Sequence, residues 1–207
     1  HVGCPSIDLA KKIKRYKKLS FNFHKKYSGV GSKINFSKKY IVVMQHPVTD
    51  EYGSGRKQIL ETYSAIVRSN VQSIWFWPNS DAGTFEISKI LRTKRELNKK
   101  ELGNIFFLKN MSPEHFLELL NFSSGIVGNS SSAIRECSYL GIRGINIGSR
   151  QKGREKGKNI ISIDYNRSKI YNLVKTKLIK NNYKKSDKIY GDGTAGLKIA
   201  QIVSRLV

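Results

Sequence analysis

The run GNSSSAIRECSYLG at Gly128–Gly141 brings together residue types that can hold a phosphate. The β-branched stretch Gly125-Ile126-Val127-Gly128 meets a hydroxyl cluster, Ser130-Ser131-Ser132, at an expected helix start, and the apolar stretch that follows ends at Arg150. Free backbone N–H groups at a helix start attract an anion, and short hydroxyls add donors without blocking its approach. Glu136 falls on the second turn, where a side chain leaning towards the helix N-terminus can reach back to a ligand hydroxyl. Two readings fit these residues equally: a phosphate cradle, or an ordinary capped helix in a βαβ unit.

The elements around this run alternate between two periodicities. Tyr40–Met44, Ser73–Trp77, Asn104–Leu108, the stretch ending at Gly128, the stretch ending at Arg150 and Asn159–Ile163 are apolar runs that read as strands. Helical spacing falls between them, at about Arg56–Ser69, Thr84–Lys99, the segment opened by Ser112-Pro113-Glu114, Ser168–Ile179 and finally Thr194–Leu206. Continuous apolar strands separated by helices predict an α/β fold, a Rossmann-like, doubly wound parallel sheet covered on both faces. In such a sheet, ligands gather beyond the carboxyl ends of the strands. The polar motifs fall there: Gln45-His46-Pro47, Pro78-Asn79-Ser80-Asp81, Lys109-Asn110-Met111, Asn129-Ser130-Ser131 and Ser149-Arg150-Gln151. The expected organisation is a linker and entering helix over 1–38, the Rossmann-like domain over 39–193, and a C-terminal helix over 194–207.

Composition narrows the classes. The 207 residues carry 38 Lys and Arg against 15 Asp and Glu, a net charge of +23. That suits partners such as nucleic acid or an acidic membrane. The lysines are spread over nearly every segment, however, and no RNP, zinc-finger or basic-zipper pattern appears, so nucleic acid is not the expected partner. No apolar run approaches the ~18 residues of a membrane span, and the start HVGCPSIDLAKKIK lacks a signal-peptide pattern, so no membrane partner is expected. Two distant cysteines, Cys4 and Cys137, fit a reducing cytoplasm. Cys137 is expected on the buried face of its helix rather than as a nucleophile.

Six blocks together resemble the hydrolysing UDP-N-acetylglucosamine 2-epimerases, the sialic-acid-pathway type in particular. They are GCPSIDL at Gly3–Leu9, QHPVT at Gln45–Thr49, PNSDAG at Pro78–Gly83, GNSSSAIRE at Gly128–Glu136, NIGSRQKGRE at Asn146–Glu155 and KIYGDGTA at Lys188–Ala195, in the family's order. The resemblance implies the C-terminal half of a glycosyltransferase-B-type fold of two Rossmann-like halves, with a UDP-amino sugar such as UDP-GlcNAc in the cleft between them. It implies elimination of UDP to a 2-acetamidoglucal and hydration to N-acetylmannosamine, with no metal and no other cofactor.

By the same resemblance, His46 is the catalytic histidine near the anomeric centre, where an imidazole titrating near neutrality can donate or orient. Ser130 and Ser131 correspond to the diphosphate cradle, and Arg150 to a bidentate phosphate contact. Glu136 corresponds to the ribose ligand and Asn79 to a sugar-side residue, with Asp81 expected to cap the next helix. Backbone near Lys109–Met111 would read the uracil. Arg154 either touches ligand or the other half, or shares a solvated loop with Lys152, Lys156 and Lys158; His115 is expected to be structural.

The family commonly has a small residue and proline where this chain has Ile142-Arg143-Gly144, which puts the local turn in doubt. The chain begins at His1, and the family's proton-transferring carboxylates belong largely to the N-terminal half. The expectation is therefore a fragment that is inactive alone, lacks its N-terminal partner half, packs its last helix on that half, and forms a homo-oligomer when full length. A related hydrolase of a UDP-diacetamido-trideoxyhexose, and a stand-alone nucleotide-sugar or nucleic-acid binding module, remain the alternatives.

Overall fold

The computed structural model describes residues 1–97, 103–180, 183 and 185–206. In chain order its helices are α1 (Pro5–Ile13), α2 (Phe23–Lys26), α3 (Gly55–Ser69), α4 (Thr84–Leu97), α5 (Pro113–Phe122), α6 (Glu136–Leu140), α7 (Arg167–Leu173) and α8 (Ala195–Val203). The strands are β1 (Gly29–Gly31), β2 (Tyr40–Met44), β3 (Gln72–Phe76), β4 (Ile105–Leu108), β5 (Ile126–Gly128), β6 (Gly144–Ile147) and β7 (Ile160–Ile163). They form one sheet in the order β1-β4-β3-β2-β5-β6-β7, parallel from β4 to β7, with β1 antiparallel at its edge. The order reverses direction between β2 and β5, the position where an open α/β sheet leaves a crevice.

Alternation along the central strands explains why they read as continuous apolar runs. Val42, Ile74, Phe106 and Ile126 face the layer that includes Ile7, Ala10, Leu117, Leu120 and Cys137. Ile41, Val43, Trp75, Phe107 and Val127 face Ile59, Ile66, Ile87, Leu91, Ile170 and Val174. Burying both faces leaves no strand position for a charge. Helix boundaries follow local chemistry: Ser112 caps α5 ahead of Pro113, Asn166 caps α7 by accepting the Lys169 N–H at 2.9 Å, and Asn70 ends α3 in the left-handed region.

The first 38 residues differ from a linker. Helix α1 buries Ile7, Ala10 and Ile13 in the core, and Val30 of β1 pairs with Phe107 of β4. Gly29–Gly31 escapes sequence reading because it is short and exposed, so burial imposes no apolar pattern on it. The GCPSIDL and KIYGDGTA blocks form a clasp. Cys4 N–H donates to Tyr190 O at 2.9 Å, and the Asp8 carboxylate accepts the Ala195 and Gly196 N–H groups at 2.9 and 2.7 Å, capping α8 from a distant part of the chain. One expected helix is altered. The last ordinary α-helical turn before Ile179 gives way to a π-helical run over Val174–Ile179. The expected end at Lys99 lies outside the described residues.

Gly128 is where β5 presses on β2. A Cβ there would sit 1.9 Å from Met44 O, and its φ of +137° disfavours an L side chain. Gly53 has φ +85° but nothing within 4 Å of an added Cβ. Gly128→Ala is therefore expected to lose about 3 kcal/mol of stability, and Gly53→Ala about 1 kcal/mol, in urea unfolding. Equal losses would show that the close approach is not a constraint.

Candidate functional site

The carboxyl ends of β2, β3, β5 and β6 carry the polar cluster. At its centre, Asn129 makes a two-point contact with the backbone of His46. Its Oδ1 accepts the His46 N–H at 2.7 Å, and its Nδ2 donates to His46 O at 2.8 Å. The Asn129 carbonyl accepts from Gln151 Nε2 at 2.8 Å and from Arg150 Nη1 at 3.4 Å. One buried asparagine thus holds three loops in a common frame. The sequence places Asn129 and Gln151 in the polar rim motifs without marking their role; the signal for it is an Asn at the strand end, where a side-chain amide can stand in for a missing ladder partner.

His46 is buried with its ring fixed: Nδ1 accepts the Asn79 N–H at 3.1 Å. In the neutral ring that contact leaves the proton on Nε2. Burial, followed by the Arg150 charge, pushes the His46 pKa down to about 4, against smaller opposing effects of Asp81 and Asn79. The expected titration near neutrality is thereby corrected: desolvation and a neighbouring guanidinium both disfavour the imidazolium. At neutral pH this side chain is an uncharged N–H donor.

Arg150 donates to Asp81 Oδ2 at 2.9 Å, so the expected role of Asp81 as a cap is also corrected. The Asp81 carboxyl is held below its usual range by hydrogen bonding with Asn79 and then by Arg150. Helix α4 instead begins with the Thr84 N–H donating to the backbone carbonyl of Asp81 at 3.1 Å. Because both side chains of the Arg150–Asp81 pair are partly exposed, at 27% and 36%, the pair contributes little stability and its guanidinium can exchange partners.

The GNSSS segment departs from a single long helix. Ser131–Ala133 form one 3₁₀ turn, capped by Ser130 Oγ accepting the Ser132 N–H at 3.3 Å, and only Glu136–Leu140 are α-helical. Successive serine hydroxyls compete for backbone groups and favour turns over helix. Arg135, also passed over by sequence reading, bridges the segment: its Nη2 donates to Ser131 Oγ at 3.1 Å and lies 3.5 Å from Glu136 Oε1. Glu136 Oε2 is buried without a hydrogen-bond partner. An unpaired buried carboxylate oxygen is costly, and a hydroxyl donor would relieve it.

The structure therefore joins His46, Asn79 and Arg150 in one cluster, sets Ser130 beside it through Asn129, and links Glu136 to Ser131 through Arg135. Other candidates fall outside it. Arg154, Lys152, Lys156 and Lys158 are exposed, and His115 stacks on Phe21 with ring centroids 4.0 Å apart. Lys109 and Asn110 are exposed and Met111 is buried. Cys137 lies in the core, where burial raises its thiol pKa well above normal. Among the described residues no group of His, Cys, Asp or Glu could hold a metal ion, and no helix is long and apolar enough to cross a membrane.

Comparison with known proteins gives a consistent result. Residues 1–204 match the family model described as UDP-N-acetylglucosamine 2-epimerase. A UDP-N,N'-diacetylbacillosamine 2-epimerase (hydrolyzing) of Legionella pneumophila is 28% identical over 99% of this chain and 51% of its own length. A UDP-N-acetylglucosamine 2-epimerase of Neisseria meningitidis is 31% identical over 75% of the chain and 40% of its own length. Among solved structures, the UDP-GlcNAc 2-epimerase of Methanocaldococcus jannaschii in complex with UDP-GlcNAc and UDP superposes with a TM-score of 0.68 at 16% identity, over 99% of this chain and 54% of the other. The chain spans about half the length of the relatives it matches.

The His46 ring gives a direct measurement. Its Cε1–H resonance should titrate with a pKa of about 4 and show no transition between pH 6 and 7. Because the folded pKa lies below the unfolded value of about 6.5, the unfolded chain binds more protons between the two. Stability from this residue is thus complete above pH 6.5 and falls as the pH drops towards 4, by on the order of 3 kcal/mol. A ring titrating above pH 6 would contradict the buried, Asn79-bound geometry.

Proposed function

The chain belongs to the UDP-N-acetylglucosamine 2-epimerase family, and from that premise we propose that it forms the UDP-binding half of a hydrolysing UDP-GlcNAc 2-epimerase. The observation that carries this reading is the meeting, at one rim of the sheet, of an exchangeable guanidinium, the capped serine turn and a buried carboxylate oxygen with no donor. In this reading Arg150 leaves Asp81 for the diphosphate, Ser130 and Ser131 hold its other oxygens, and Glu136 Oε2 accepts ribose hydroxyls. Asn79 lies on the sugar side.

His46 acts in this proposal as a neutral donor. Its Nε2–H stabilises negative charge on the oxygen that leaves C1 as UDP departs, and a weakly basic imidazole does not remove the C2 proton. That proton, and the one returned when water adds to the 2-acetamidoglucal, fall to carboxylates of a second Rossmann-like half that closes over this one. The apolar outer face of α8, with Leu197, Ile202 and Val203 exposed, is where that half would rest. N-acetylmannosamine, entry into sialic-acid synthesis and a cytoplasmic location follow from the same reading. The Legionella pneumophila relative favours a second reading, a UDP-diacetamido-trideoxyhexose in the same rim.

Calorimetry with UDP tests the site on this chain directly. Arg150→Ala should lose about 1.5–3 kcal/mol of binding free energy, the scale of a charge-assisted hydrogen bond, and Glu136→Ala should also bind less tightly. If both bind UDP as the parent does, the assignment is wrong.

In the two-domain enzyme, His46→Ala should lower turnover about a hundredfold while UDP affinity holds, the usual cost of removing one transition-state donor. His46→Gln, which keeps an N–H, should retain more activity than His46→Ala. Identical loss in both would count against donation by Nε2.

A further inference from the structure

The opposite end of the sheet holds a cavity that the nucleotide site does not use. It measures about 810 Å³ and opens at the amino ends of β2, β5 and β6, beside Tyr40, Ser124 and Arg143. With β2 five residues long, the two ends of the sheet lie about 16 Å apart. None of the candidate rim residues lines the cavity.

Its charge is one-sided. Lys17, Lys18, Lys38, Lys39 and Arg143 line it, and no Asp or Glu does. Like charges gathered around one concavity raise its potential and attract anions. Arg143 is the most constrained of the five. Its guanidinium lies over the Tyr183 ring, 4.7 Å from the centroid, and its Nε is buried without a hydrogen-bond partner. Among the described residues no carboxylate pairs with it. The sheet uses only its carbonyl, which accepts the Ile126 N–H at 3.1 Å, so strand pairing does not explain an arginine here. Phe36 and Phe122 give the cavity apolar walls, and its volume is that of small-molecule sites.

We propose that this cavity binds a small phosphorylated anion carrying at least two negative charges, with the Arg143 fork as the principal contact. Stacking on Tyr183 holds the guanidinium plane in place, which favours paired contacts to phosphate oxygens. Lys17, Lys18 and Lys38, on flexible stems, supply charge from the rim, joined by Lys39, whose Nζ donates to Ile179 O at 2.7 Å.

Inorganic pyrophosphate is the probe, titrated calorimetrically at physiological salt into the full chain carrying Arg150→Ala, which removes the cationic contact of the other rim. One equivalent should bind. Arg143→Ala should weaken it by about tenfold or more, as should the exposed double variant Lys17→Ala/Lys18→Ala, whose fold does not depend on those side chains. Lys169→Ala, an exposed charge on α7, should change it less than about twofold. Amide chemical shifts should move at Lys38, Ser124 and Arg143, at the opposite end of the sheet from the other rim. The proposal is overturned by absence of saturable binding, by equal weakening in Lys169→Ala, or by shifts confined to Asn129–Ser132. Displacement of the pyrophosphate by an equal concentration of a short single-stranded oligonucleotide would overturn it in favour of a polymer.

Discussion

The two-point contact between Asn129 and the His46 backbone is the constraint on which the rim depends. Parallel strands end with unpaired N–H and C=O groups, and where such ends are buried each group needs a partner. Asn129 supplies a donor and an acceptor on one planar amide, matching the His46 N–H and C=O at 2.7 and 2.8 Å. This extends the β2–β5 pairing beyond Met44 and Gly128 by a side chain. It requires Gly128 immediately before, because only a residue without Cβ lets the strands approach so closely. The pair Gly128-Asn129 is therefore a structural device as much as the opening of the proposed phosphate cradle.

From that frame the neighbouring geometry follows. With its backbone fixed, His46 presents Nδ1 to the Asn79 N–H at the end of β3, and the Asn129 carbonyl gathers Gln151 and Arg150 from the end of β6. A second tie runs outside it: Glu51 accepts from both Gln58 of α3 and Ser149. Few of these contacts are individually large, since a net hydrogen bond contributes about 1 kcal/mol. Their common burial makes them act together, because loss of one leaves its partner unsatisfied in a dry interior.

The central strands and the rim were legible because both follow from strong, repeated constraints. A strand buried on two faces must be apolar throughout, and loops at the carboxyl ends must carry whatever polar chemistry the fold has. Strand β1 was not legible: Gly29-Val30-Gly31 is exposed and pairs through backbone groups alone. The split of the GNSSS segment was hidden because hydroxyl clusters satisfy both a helix start and a 3₁₀ turn. The direction of the His46 shift was hidden for another reason. It depends on burial and on the distance to Arg150, neither of which is encoded near position 46.

In the proposed site, the charges at the rim would let an anion enter without rebuilding it. Were His46 protonated, it would stand beside Arg150 as a second buried cation, and burial already penalises that state. Kept neutral, it leaves Arg150 as the cation of this cluster, and Asp81 balances Arg150 in the free chain. Because that ion pair is partly open to water, exchanging the carboxylate for a phosphate oxygen would replace one charge-assisted bond by another at small cost. A deeply buried pair would have fixed the guanidinium and blocked the exchange, since breaking it would leave an uncompensated charge in a dry interior. Partial exposure at Asp81 and burial at His46 thus suit one arrangement: a positive point that can change partners beside a neutral donor held in place.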